Sequence, residues 1–74
     1  MSNTLDEALT ASRQQRALYD DGQRRAFVSQ RNVNFDLAIT SQSGKVVRLN
    51  QTSAMLRDVL DAHGIPRDSG WKPL

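Results

Sequence analysis

Between Val33 and Leu49 the apolar positions recur every second residue. Val33, Phe35, Leu37 and Ile39 alternate with Asn34, Asp36, Ala38 and Thr40. That period places the large apolar side chains on one face of a strand. A second, shorter run follows at Val46-Val47-Arg48-Leu49, with Val47 and Leu49 as its inward pair. Ser41-Gln42-Ser43-Gly44 separates the two runs. A three-residue loop, Gln42-Ser43-Gly44, closes Ser41 against Lys45, sets Ile39 opposite Val47 and Leu37 opposite Leu49, and keeps all four on one face. Slipping by one residue would set Leu37 against Arg48 and send one apolar set to the wrong side. Gly44 also stands where such a loop needs a left-handed residue.

The period then changes. Met55, Leu56, Val59, Leu60 and His63 recur at helical spacing, with Arg57, Asp58 and Asp61 on the other face. Thr52 or Asn50 supplies the N-cap oxygen. His63-Gly64-Ile65-Pro66 ends the helix: Gly64 suits the left-handed cap, Ile65 folds back on Leu60, and Pro66 cannot continue. The hairpin and the helix from Val33 to Ile65 each carry one apolar surface and are expected to cover each other.

Upstream, Thr4-Leu5-Asp6-Glu7 has the capping-box pattern. Leu5, Ala8, Leu9, Ser12 and Tyr19 fall on one stripe, broken by Gln15 and Arg16. The expected helix runs to about Asp20, where Asp20-Asp21-Gly22 ends or interrupts it. For Gln23 to Asn32 two readings stand: continuation of the helix through Gly22, at about 1 kcal/mol relative to Ala, or a short third strand over Arg25–Ser29. The favoured form is a polar connection anchored by Phe27 or Val28. Residues 66–74 have no periodicity and read as a tail holding the sole tryptophan, Trp71. The fold class is therefore α+β: an N-terminal helix, an antiparallel hairpin with a possible third strand, a C-terminal helix and an extended tail. Residues 1–65 are read as a single small domain.

Length and charge narrow the function. A chain of 74 residues buries only ~60% of its unfolded surface, and it has no cysteine to staple it. Oligomerisation or a partner often stabilises such small domains. No apolar run approaches a membrane span, and the polar, acidic start is not a secretory signal. The expected location is cytoplasmic, with no membrane partner. Formal net charge is +2 and the pI about 9.7. Arg13, Arg16, Arg24, Arg25 and Arg31 crowd the first half, opposed by Asp20 and Asp21.

Catalytic chemistry is not apparent. His63, the only histidine, is placed to cap a helix end. Asp20 and Asp21 are adjacent in a turn, an arrangement without acid–base geometry. No nucleophile elbow, glycine-rich phosphate loop or metal-ligand cluster is present in the sequence, so neither cofactor nor metal is expected. The reading is a small non-enzymatic protein-interaction or assembly module, with Arg24, Arg25 and Trp71 as the partner-binding candidates. Arg24 and Arg25 offer planar forks for carboxylate or phosphate, and Trp71 offers an anchor for a partner unless it folds back to close the core. A nucleic-acid-binding regulator is the alternative in which the five arginines line a phosphate-facing patch. Low net charge, few interleaved aromatics and the aspartates of the second helix speak against it.

Gly44-Lys45-Val46-Val47-Arg48-Leu49, then Thr52-Ser53 and the helix around Leu56, resembles the small head–tail joining proteins of lambda-like phages. The resemblance covers about a third of the chain. It implies a helix, a hairpin and a second helix in that order, in a protein that plugs a virion connector ring. Here the connection before the hairpin is longer, and the tail lacks that family's basic cluster. What it implies is a compact phage or prophage product, either a virion joint or a small inhibitor of a host protein.

Overall fold

A computed structural model describes residues 3–74. Among them the chain runs α1 (Leu5–Ala11), β1 (Arg16–Asp20), β2 (Arg25–Arg31), β3 (Asn34–Thr40), β4 (Val46–Thr52), α2 (Ser53–Ala62) and β5 (Trp71–Pro73). The fold is α+β. Strands β1 to β4 form an antiparallel meander, and β5 joins it beside β1, giving the order β4-β3-β2-β1-β5. Both helices contribute to one hydrophobic core on one face of this sheet. The shortest extent is 17 Å, enough for a sheet and one layer of helices.

The hairpin and the second helix follow the sequence pattern closely. Ile39 opposes Val47 and Leu37 opposes Leu49. The Ser41 amide donates to the Lys45 carbonyl at 2.9 Å, and Gly44 takes φ +87°. The Thr52 hydroxyl accepts from the Met55 amide at 3.5 Å. At the other end, Ile65 N–H reaches Leu60 C=O at 2.9 Å and Gly64 N–H reaches Asp61 C=O at 3.1 Å, the paired bonds of a Schellman cap. Ile65 is buried with Leu60. The capping box at Thr4 and Glu7 closes in both directions.

Four expectations are corrected. The first helix stops at Ala11, not near Asp20. The next turn of its stripe would carry Gln15 and Arg16, which gain nothing from burial; Gln15 turns the chain at φ +55°, and Ala17 and Tyr19 become the inward residues of β1. Secondly, the favoured polar connection after Asp20-Asp21-Gly22 gives way to the alternative third strand, which runs beyond Ser29 to Arg31, so the hairpin is only part of a five-stranded sheet. Asp20 and Asp21 form a hairpin turn instead of ending a helix. Thirdly, Val33 sits in the tight β2–β3 turn beside Asn32 (φ +56°) and is 83% exposed; Met55 likewise lies outside the core, at 50%.

Fourthly, residues 66–74 are more than an extended tail, and of the two readings of Trp71 the folded-back one holds. β5 pairs with β1, setting Trp71 opposite Tyr19, and Trp71 is fully buried. Its indole N–H donates to Pro66 C=O at 2.8 Å, and its ring lies 5.5 Å from that of Tyr19. The Ser12 hydroxyl donates to Leu74 C=O and accepts from Arg16 N–H. Those bonds account for the buried position of this polar residue at the helix end.

Candidate functional site

In a strand alternate side chains point to opposite faces, so the core assigns the other set to the uncovered face. With Ala17, Tyr19, Ala26, Val28, Leu37 and Ile39 facing the helices, Leu18, Phe27 and Ala38 must face outward. They are cross-strand neighbours: Leu18 opposes Phe27, Phe27 opposes Ala38, and Ala38 opposes Arg48. Leu18 also opposes Lys72 on β5. One row therefore crosses the sheet as Lys72, Leu18, Phe27, Ala38, Arg48. Its three central residues are half-buried and its two ends exposed.

Polar rows flank it. On one side Arg16, Ser29, Asp36 and Asn50 are in register. Asn50 Nδ2 donates to Asp36 Oδ1 at 2.7 Å, and Arg31 Nε lies 3.4 Å from Asp36 Oδ2. On the other side Asp20, Arg25 and Thr40 are in register, and Arg25 pairs with Asp20 at 3.2 Å. Arg16, Arg48 and Lys72 have no ion-pair partner among the described residues. Between Phe27, Asp36, Ala38, Arg48 and Asn50 lies an open depression of about 440 Å³. The small Ala38 side chain keeps it open.

The sequence candidates do not assemble into one site. Arg25 lies on the uncovered face. Arg24, its neighbour, lies on the helix side, with its guanidinium close to Gly64. It lines a depression of about 510 Å³ with Ser41, Ser43 and His63. Trp71 cannot be an exposed anchor, because the core encloses it. Of the five clustered arginines, Arg16, Arg25 and Arg31 project from the uncovered face. Leu18, Phe27, Arg48 and Lys72 were missed; the signal that finds them is the outward half of the strand alternation in residues 16–31 and 71–73.

The neighbouring turn is fixed by carboxylates. Asp21 accepts from the amides of Arg24 and Gln23 and from the Tyr19 hydroxyl. These bonds, led by the Arg24 amide, hold its carboxyl below the usual range. The Gly22 amide does the same for Asp20, helped by Arg25. Burial, then the bond to Asp21, pushes the Tyr19 phenol up. His63 Nδ1 lies 2.9 Å from Val59 C=O, a contact within its own helix end.

No described helix is long and apolar enough to cross a membrane. The arrangement offers an open, amphipathic surface with a ring at its centre and cations at its ends. No protein-family model, curated protein or solved structure matches this chain.

Proposed function

We propose that this protein is a small non-enzymatic binding module that engages a macromolecular partner through the uncovered face of its sheet. The observation that carries this reading is the row Leu18–Phe27–Ala38, left without a covering layer while the opposite face holds both helices. A contiguous, half-exposed apolar row rimmed by polar residues is the kind of surface that serves as an interaction site. Arg25 keeps a place at the rim; Arg24 and Trp71 do not belong to this surface. The resemblance to head–tail joining proteins spans β4 and the start of α2, and no virion role is assigned on it.

The test is affinity capture from producing cells with the unaltered chain, Phe27→Glu on the uncovered face and Met55→Gln on the helix side, followed by sizing of the captured complex. A complex lost with Phe27→Glu and kept with Met55→Gln supports the reading. Equal capture by all three, or a partner-free chain that turns over a small molecule, overturns it.

A further inference from the structure

Charge on this molecule is sorted by face. The uncovered face carries Arg16, Arg25, Arg31, Arg48 and Lys72 against only Asp20 and Asp36. Both carboxylates are already engaged by arginines of the same face. On the helix side the balance reverses. Asp6, Glu7, Asp58, Asp61 and Asp68 stand against Arg24, Arg57 and Arg67. The small net charge of +2 therefore conceals a positive plate backed by a negative one.

We infer that the partner of the uncovered face is a single strand of nucleic acid; the inference rests on the binding reading above and names its ligand class. Three features point the same way. Arg48 and Lys72 lie on β4 and β5, four strand spacings apart, or about 19 Å, which suits a segment of about four nucleotides. Between them Phe27 supplies the aromatic face on which a base stacks. Beside Phe27, the open 440 Å³ depression is roomy enough for a base, and at its wall the Asn50 side chain, held by Asp36 through one N–H, keeps its amide oxygen and second N–H for a base edge.

A duplex fits poorly. Reading a groove needs a cationic helix or ribbon that enters it, and the outer side of α2 carries Asp58 and Asp61. An acidic protein also fits less well. Interface cores are depleted in charged residues, whereas the apolar row here is three residues long and ends in a cation on both sides.

Fluorescence anisotropy with labelled oligo-dT and oligo-U 12-mers, a duplex of equal length and poly-Glu tests this with the full chain. Single strands should bind, and affinity should fall about 20-fold between 50 and 200 mM salt if three phosphates are neutralised. Phe27→Ala should weaken binding about 10-fold. Arg48→Gln should flatten the salt dependence, and Met55→Gln should change neither. Circular dichroism confirms that each variant is folded. Duplex or poly-Glu binding as tight as the single strands, or Phe27→Ala and Arg48→Gln variants that bind unchanged, would overturn the inference. So would no oligonucleotide binding at all. In that last case a captured complex that Phe27→Glu abolishes leaves the binding module standing with a protein partner, and its absence removes both.

Discussion

Gly70 is the residue with least latitude. It takes φ +84°, and a Cβ there would meet the Tyr19 ring at 2.6 Å. Left-handed backbone costs a non-glycine residue about 1–2 kcal/mol, and overpacking adds about 1–3 kcal/mol. Gly70→Ala is therefore expected to destabilise by about 2–5 kcal/mol in urea unfolding, whereas Gly44→Ala, with open space around it, should show only the backbone part. The turn carboxylates set the acid limb. Asp20 and Asp21 have lowered folded values, so the folded state binds fewer protons than the unfolded one below the ordinary value of 3.8. Their contribution is present above that value and lost as pH falls through the folded value. Asp21→Asn should flatten the fall of Tm on the acid side. Tyr19 acts in the opposite sense: its raised phenol contributes below the ordinary value of 10.0, and that contribution is lost as pH rises through the folded value.

Among the elements, those with a strong local signal were legible and those defined by distant partners were not. The β3–β4 register, the Thr52 cap and the Gly64 stop each follow from a handful of neighbouring residues. β1 has five residues, and of its two inward ones Tyr19 also fits the helical stripe begun at Leu5. Only pairing with β2 and β5 decides between the periods. β5 has three residues and no period of its own. The candidate site suffered in proportion, since its apolar row runs across strands and no contiguous stretch contains it. Val33 separates the two descriptions experimentally. As the first inward residue of a strand it would cost about 2 kcal/mol or more when replaced by lysine; in its exposed turn, Val33→Lys should change stability by less than about 0.5 kcal/mol in urea unfolding.

For the molecule as a whole, Trp71 closes the side of the core formed by α1, β1 and β5. Its removal opens a cavity beside Tyr19 in the core. Trp71→Ala is expected to cost about 3–5 kcal/mol, a large share of the 5–15 kcal/mol that holds domains together. Its thermal transition, followed by circular dichroism, should fall sharply or disappear. The same burial makes its emission a direct reporter of global unfolding, with acrylamide quenching weak in the native protein and strong in denaturant.

The bond between Ser12 and Leu74 joins positions 62 apart, and Trp71 meets Tyr19 across a similar separation. During synthesis, β1 to β4 leave the ribosome before β5, with α2 between them. Until residues 71–73 clear the exit tunnel, the nascent sheet has an open flank at β1 and the Tyr19 ring stands without its aromatic neighbour. A chain extended by a C-terminal linker and stalled with only these residues still inside should therefore be protease-sensitive, and a longer linker that lets them emerge should convert it to a resistant one.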